Sequence, residues 1–329
     1  MSTDVRTTIS SVINNVAEAV NGSSNAEEAR AKLAKLVAEQ DEIAAANVAK
    51  AEEENSAALH CAEKVITLPN GLGYHVRKLG EHDDVAAYRA LRENMVPFML
   101  YGPPGTGKTA GVEAAFGSNE ADHLYTVLGT GDFEVGDLIG SYVALPGGSF
   151  AWVDGPLILA MENGGVLFVD EIGLIDPKVL SILYSVMDGR GELTVTANPE
   201  RGTVVAKEGF FVCAATNPNA PGVRLSEALL SRFSQQILVK TDYSLAKTLG
   251  VPSKMVTAAQ NMQRKVESGE LGYSPQLREL LAFKKISGIL DEDVALRNII
   301  SGAPEIDRPI VKDVLERTYG KSITELEVE

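Results

Sequence analysis

The chain has 329 residues, enough to bury a sizeable hydrophobic core, and a formal net charge of −15. This negative charge disfavours nonspecific nucleic-acid binding, and no cluster of lysine and arginine with interleaved aromatic residues offsets it. No apolar stretch approaches the roughly eighteen residues of a membrane span. The two cysteines, Cys61 and Cys213, lie far apart without metal-site spacing, so we expect a cytoplasmic protein with reduced thiols.

Residues 1–64 are rich in alanine and charged residues and contain no phenylalanine, tyrosine or tryptophan. An irregular apolar stripe predicts a helix over residues 26–58. Without aromatic side chains this segment can hardly form its own core, so we predict a helical N-terminal extension. Two interpretations remain open: a solvated arm, or a segment that docks a partner or bridges an oligomer.

From residue 65 onward, apolar runs of strand length alternate with helical stretches. Near-continuous apolar runs are typical of strands buried on both faces of a parallel sheet. We predict such strands at residues 96–101, 123–127, 165–169, 210–215 and 236–239. Two further segments, 141–153 and 193–205, each alternate around a turn-forming cluster and predict β-hairpins. Because the pattern after residue 240 is helical, we predict an α/β domain at residues 65–240 and an all-α domain at residues 241–329.

A glycine-rich loop, GPPGTGKT, fits the pattern G-x-x-x-x-G-K-[ST] at every fixed position. It follows a predicted strand and opens a predicted helix at residues 109–116, where loop amides and a helix N-terminus can cradle phosphate oxygens. Lys108 would reach the β- and γ-phosphates, and the Thr109 hydroxyl would ligate Mg²⁺. We expect the nucleotide to contact Gly102, Pro103, Pro104, Gly105, Thr106, Gly107, Lys108, Thr109 and Ala110.

Two acids, Asp170 and Glu171, end the predicted strand at residues 165–169. Acids at the end of a buried strand are costly unless they meet a cation or water, and hydrolysis of a triphosphate needs both. Asp170 can hold Mg²⁺, and Glu171 can polarise the water that attacks the γ-phosphorus. The adjacent glutamate therefore favours hydrolysis over mere nucleotide sensing.

Two polar residues further along the chain fit the same chemistry. Asn217 follows the predicted strand 210–215 and could orient the attacking water, although an Asn-Pro turn is also common. Arg232 ends the helical segment 225–233. The transition state of phosphoryl transfer is stabilised by a fixed guanidinium, often from a neighbouring subunit, whereas a lone arginine is more often a surface residue.

In this order the four pieces resemble an AAA+ ATPase, with Walker A at residues 102–109, Walker B at 166–171, sensor 1 at Asn217 and the arginine finger at Arg232. The resemblance covers roughly residues 65–320. Finer marks resemble the MoxR branch, which includes the cobaltochelatase small subunit, the NorQ/CbbQ activators and gas-vesicle protein N. These marks are the segments 131–140, 154–160, 215–218 and 225–233.

This resemblance implies a P-loop fold in which helices flank a parallel sheet and an all-α lid follows it. It also implies ATP and Mg²⁺ as cofactors, hydrolysis in a homo-oligomer, usually a hexameric ring, and work on a protein client or adaptor. Relatives often act with a partner that carries a von Willebrand factor A domain. The two predicted hairpins resemble inserts that usually face the pore of such a ring.

The chain departs from the branch at sensor 2. The lid helix usually opens with Ser-Pro-Arg or Ser-Thr-Arg, whereas this chain has Ser274-Pro-Gln-Leu-Arg278. With Ser274 as N-cap and Pro275 as the first helical residue, Gln276 stands in the place of the arginine. Arg278 would then lie about 200° round the helix. Either the register shifts locally and Arg278 binds phosphate, or this contact is weakened or absent.

Two alternatives to a protein-remodelling ATPase remain open. One is a nucleotide-gated assembly scaffold with little turnover, which the glutamine at sensor 2 would suit. The other is a ring ATPase that acts on nucleic acid, which the negative charge disfavours.

Overall fold

The computed structural model describes residues 64–118, 122–324 and 326. The predicted helical extension, residues 1–64, lies outside the described residues except for Lys64. In the described part of the chain, the strands are β1 Val65–Thr67, β2 Gly73–His75, β3 Lys78–Leu79, β4 His82–Asp83, β5 Phe98–Tyr101, β6 Leu124–Leu128, β7 Gly140–Ala144, β8 Phe150–Asp154, β9 Val166–Asp170, β10 Glu192–Thr194, β11 Thr203–Val205, β12 Phe211–Thr216 and β13 Gln235–Leu238.

The described helices divide into those around the sheet and those that follow it. The first group is α1 Asp84–Glu93, α2 Lys108–Val112, α3 Val135–Ile139, α4 Pro156–Asn163, α5 Pro177–Leu180, α6 Ile182–Met187 and α7 Glu227–Leu230. The second group is α8 Tyr243–Thr248, α9 Ser253–Glu267, α10 Leu277–Ile289, α11 Glu292–Gly302 and α12 Arg308–Tyr319. The helix predicted at residues 109–116 is regular only through α2, because it continues as a π-helical turn at Glu113–Gly117.

Within the described residues, five strands form one parallel sheet in the order β13-β5-β12-β9-β6. Every strand predicted for a parallel sheet is present, with ends shifted by one or two residues, and the predicted fold class is confirmed. The three central strands are almost fully buried, as continuous apolar runs indicate. The edge strands β6 and β13 are partly exposed, because each has a neighbour on one side only.

Successive side chains of the central strands enter two different hydrophobic cores, one on each face of the sheet. In β5, Met99 enters one core while Phe98 and Leu100 enter the other. The second core is aromatic: the ring centroid of Phe98 lies 4.9 Å from that of Tyr88 and 5.9 Å from that of Phe211. Both faces of the sheet are therefore packed against a core. The carboxyl edge of the sheet, where its parallel strands end, is rigid for this reason.

Both predicted hairpins are present as antiparallel pairs, β7 with β8 and β10 with β11. The helices α8–α12 enclose a third core of their own. The division into domains at residues 65–240 and 241–329 stays a prediction. Among the described residues, no helix has both the length and the apolar character needed to cross a membrane.

Candidate functional site

The glycine-rich loop connects the carboxyl end of β5 to the start of α2, and its backbone requires glycine. Gly102 has a φ of +148°, and a Cβ there would lie 2.3 Å from the carbonyl oxygen of Val239. Gly105 has a φ of +76°, and a Cβ there would lie 2.9 Å from the Cβ of Arg278. These glycines therefore permit close approach of the chain on both sides of the loop.

Lys108 is held at the loop that precedes it. Its ammonium group donates hydrogen bonds to the carbonyl oxygens of Gly102 at 3.0 Å and Pro103 at 2.9 Å. The side chain is buried, and this burial lowers the pKa of Lys108, while the nearby carboxylates of Glu171 and Asp170 act to raise it. A cation is thereby positioned beside the loop amides, with two acids close by.

The two residues predicted to bind the metal lie next to each other. The hydroxyl of Thr109 donates to Oδ2 of Asp170 at 2.6 Å. No group of three or more histidine, cysteine, aspartate or glutamate side chains that could hold a metal occurs among the described residues. A hydroxyl and a carboxylate fit Mg²⁺, since this ion binds few protein oxygens and takes its other ligands from phosphates and water.

Glu171 and Asn217 are also brought together. Oε2 of Glu171 accepts a hydrogen bond from the backbone N–H of Asn217 at 3.3 Å. Glu171 has a φ of +50°, a conformation that costs of the order of 1–3 kcal/mol for a residue other than glycine. The side-chain oxygen of Asn217 accepts from the N–H of Asn219 at 3.3 Å, so this residue also forms the predicted turn.

The lid helix begins later than the sequence predicts. Its N-cap is Gln276 rather than Ser274, because Gln276 and Glu279 form a reciprocal capping box. Ser274 instead donates to Oε1 of Gln263 at 2.6 Å, and the first helical residue is Leu277, not Pro275. The predicted helix start is therefore wrong.

This register brings Arg278 to the phosphate loop and takes Gln276 away from it. The backbone N–H of Arg278 donates to the carbonyl oxygen of Gly105 at 3.1 Å, and its side chain is exposed. Gln276 is buried and accepts a hydrogen bond from the Thr241 hydroxyl at 2.6 Å. Of the two sensor-2 candidates, Arg278 is therefore the one beside the loop.

Arg232 is not brought together with the other predicted site residues. It precedes β13, whose first residue, Gln235, pairs in parallel with Phe98 at the start of β5. The phosphate loop follows the opposite end of β5, so Arg232 lies at the amino edge of the sheet. Its guanidinium donates to the carbonyl oxygen of Ala228 at 2.7 Å and stacks 4.1 Å from the ring centroid of Tyr184.

Sequence reasoning missed one residue that touches the phosphate loop. The guanidinium of Arg77 donates to the carbonyl oxygens of Thr106 at 2.8 Å and Gly107 at 3.4 Å. Arg77 belongs to no motif, and its distance from the loop along the chain hides the contact. The one available signal was an arginine in a segment of short strands that α1 and β5 separate from the loop.

Comparisons with known proteins agree with this arrangement. Residues 97–233 match the AAA domain of the dynein-related subfamily. Protein NorQ of Paracoccus denitrificans is 36% identical over 140 residues, which are 43% of this chain and 50% of that protein, so the chain spans about half of its length.

Two uncharacterized staphylococcal proteins are also similar. One, from Staphylococcus epidermidis, is 28% identical over 249 residues, 71% of this chain and 88% of that protein. The other, from Staphylococcus haemolyticus, is 33% identical over 167 residues, 49% of this chain and 60% of that protein.

Proposed function

Since this chain belongs to the MoxR-type AAA+ ATPases, we propose that it hydrolyses Mg-ATP and uses the free energy to remodel or activate a protein partner. One observation carries the hydrolytic part of the proposal. Thr109, Asp170 and Glu171 meet at the carboxyl edge of the sheet, beside the loop that holds Lys108.

Each residue then has a chemical role. The loop amides and Lys108 bind the phosphates, and Ala110 follows them at the start of α2. Thr109 and Asp170 would hold Mg²⁺, which offsets the charge that develops on the phosphate oxygens. Glu171 accepts a proton from the attacking water, and Asn217 orients Glu171 and that water.

Two arginines supply positive charge to the nucleotide site from different directions. Arg278, fixed by its backbone to the loop, extends an exposed side chain that can contact the γ-phosphate. Arg232 lies where the strands of the sheet begin, and the length of β5 alone puts about 13 Å between it and the phosphate loop. We therefore assign Arg232 to the site of a second copy of the chain. A shared site of this kind requires a homo-oligomer, which we propose to be a hexameric ring.

The proposed client is a protein. The first hairpin exposes apolar side chains near its turn: Phe150 is 68% exposed and Tyr142 is 51% exposed. Such side chains suit contact with a polypeptide, and the net charge of −15 disfavours a nucleic acid. A partner with a von Willebrand factor A domain and a cytoplasmic location are parts of the same proposal.

The test compares the purified protein with Glu171→Gln. We expect the parent to release phosphate from Mg-ATP. Glu171→Gln should bind ATP within about threefold of the parent but turn it over at least a hundredfold more slowly, roughly what loss of a general base costs. Glu305→Gln, which changes an exposed lid acid, is the matched control and should behave as the parent does.

Other outcomes would favour the alternatives. Turnover by Glu171→Gln at the parental rate contradicts the assignment of the base. Nucleotide-dependent assembly without turnover by the parent would indicate a scaffold. Turnover that rises only when DNA or RNA is added would indicate a nucleic-acid motor.

A further inference from the structure

We propose that Arg77 is a positioning residue that presets two amides of the phosphate loop for nucleotide binding. The inference rests on the proposed function, because it concerns the same nucleotide site. It adds a residue from outside the motifs, contributed by the segment between β2 and β3.

The contacts reach two consecutive peptide groups. Nη1 of Arg77 donates to the carbonyl oxygen of Thr106 at 2.8 Å, and Nη2 approaches that of Gly107 at 3.4 Å. The Arg77 side chain is only 12% exposed. A guanidinium presents several N–H donors in a fixed planar fork, so a single side chain can hold both oxygens at once.

Because the peptide bond is planar, these contacts to carbonyl oxygens also set the direction of the neighbouring N–H groups. No cis peptide bond occurs among the described residues. In a trans peptide the C=O of one residue and the N–H of the next point in opposite directions within one plane. By holding the oxygens of Thr106 and Gly107, Arg77 therefore turns the N–H groups of Gly107 and Lys108 away from itself, free for phosphate oxygens.

Arg77 is itself held by a buried chain of polar groups. Its Nε and Nη2 donate to the hydroxyl of Tyr74 at 3.1 Å and 2.9 Å. That hydroxyl donates to Oδ2 of Asp84 at 2.5 Å, and Oδ1 of Asp84 accepts from the backbone N–H of Arg77 at 3.1 Å. Burial, aided by Asp84 and opposed by Arg77, raises the pKa of Tyr74 far above its ordinary value, so the phenol keeps its proton.

One glycine makes room for these polar groups. A Cβ at Gly111, on the helix α2, would lie 3.1 Å from the hydroxyl of Tyr74. Tyr74 can therefore approach the helix closely, where a larger residue at position 111 would push the phenol away. At Gly107 a Cβ would lie 3.8 Å from Nη2 of Arg77, an ordinary contact, so glycine suits this position through its φ of +88°.

Stability alone is a weak reason for such an arrangement. Asp84 is 4% exposed and Tyr74 is 6% exposed, so their polar groups and the guanidinium are desolvated together. Well-packed apolar residues of similar volume often stabilise a fold as much as a buried ion pair does. What apolar residues could not do is fix the direction of two carbonyl groups.

The experiment measures dissociation constants for ATP and ADP in the full chain, and the main variant is Arg77→Lys. Lysine keeps the charge opposite Asp84 but lacks the fork, so it cannot hold both oxygens. We expect ATP and ADP to bind about tenfold more weakly, and equally so, because charge-assisted hydrogen bonds from two preset amides are weakened. Equal losses are expected because loop amides cradle the α- and β-phosphates, which both nucleotides carry.

Arg89→Lys is the matched control. Arg89 also donates to backbone carbonyls, those of Ala115 at 2.9 Å and Ala114 at 3.5 Å, but away from the loop. Its ATP and ADP affinities should stay within about twofold of the parent. If the role of Arg77 were merely structural, Arg77→Lys would lower thermal stability, as Arg89→Lys does. Its ATP and ADP affinities would then be unchanged at temperatures where circular dichroism shows folded protein.

Tyr74→Phe is a second route if Arg77→Lys does not fold. It keeps Arg77 and Asp84 but removes the hydroxyl between them, and we expect about threefold weaker binding of both nucleotides. Unchanged ADP affinity in the folded variants, or a loss confined to ATP, overturns the inference while the parent still binds. Failure of the parent to bind either nucleotide would contradict the proposed function, and the inference with it.

Discussion

The hydroxyl of Thr109 donates to the carboxylate of Asp170 across 2.6 Å, which joins the first turn of α2 to the carboxyl end of β9. A second bond, from the N–H of Glu171 to Oδ1 of Asp170 at 3.0 Å, occupies the other carboxylate oxygen. The carboxylate is thus oriented from two sides, and Glu171 is placed directly behind it. The metal site and the proposed base are therefore parts of one rigid strand end.

Replacing Asp170 with asparagine tests this metal site. Asp170→Asn can still accept the Thr109 hydrogen bond but loses the negative charge. We expect ATP affinity to become independent of Mg²⁺ and turnover to fall at least about a hundredfold, since a bound metal contributes several kcal/mol of charge stabilisation.

The measurement is ATP binding with Mg²⁺ and with a chelator, followed by steady-state phosphate release. Asp188→Asn is the control, because Asp188 pairs with Arg190 through exposed side chains. Retention of a Mg²⁺ effect in Asp170→Asn would contradict its role at the metal.

A second prediction concerns the site shared between subunits. Arg232→Ala should keep ATP affinity and lower turnover about a thousandfold, since an arginine supplied in trans contributes that much to phosphoryl transfer. Mixing it with Glu171→Gln should restore part of the activity, because some interfaces then combine an intact base with an intact arginine.

Phosphate release across a series of mixing ratios is the readout. Arg190→Ala is the matched control, since Arg190 lines the same pocket as Arg232 but pairs with Asp188. Absence of rescue at every ratio would argue against a shared site.

A third prediction separates the two sensor-2 candidates. Gln276→Ala should lower the free energy of unfolding by about 1–2 kcal/mol, because it removes an N-cap and a buried hydrogen-bond partner of Thr241. Arg278→Ala should leave stability nearly unchanged and reduce turnover, because only its backbone is used in holding the loop.

Urea unfolding and phosphate release on both variants decide the question. The reverse pattern, with stability lost in Arg278→Ala and turnover lost in Gln276→Ala, would transfer the phosphate contact to Gln276.

The central strands and the phosphate loop were predictable because each is encoded locally. Buried parallel strands are continuous apolar runs, and the loop needs glycine at fixed positions. The start of the lid helix was not, because Ser274 is a good N-cap in isolation. In the fold its hydroxyl bonds to Gln263 on another helix, and Gln276 forms the cap with Glu279. Arg77 and the amino-edge position of Arg232 depend on sheet order and long-range contacts, which leave no local pattern.

The final prediction concerns pH and the two hairpins. Arg201, in the turn of the second hairpin, donates from Nε to Oδ1 of Asp154 at 3.1 Å, and Asp154 ends the first hairpin. Although burial acts to raise it, hydrogen bonds from Arg201 and Trp152 lower the pKa of Asp154 below its ordinary value. The folded protein therefore binds this proton less readily than the unfolded chain does.

Arg201→Gln should consequently lower the free energy of unfolding by about 1 kcal/mol near neutral pH. The contribution is fully present above the unfolded pKa of aspartate, near 3.9, and is lost as pH falls through the lowered pKa of folded Asp154. The difference between Arg201→Gln and the parent should thus shrink in acid. Urea midpoints measured from about pH 7 to about pH 3 check this prediction. In a protein that already carries Asp154→Asn, the effect of Arg201→Gln on stability should depend much less on pH. A difference that stays constant to the acid limit would show that the Asp154 pair does not couple the hairpins.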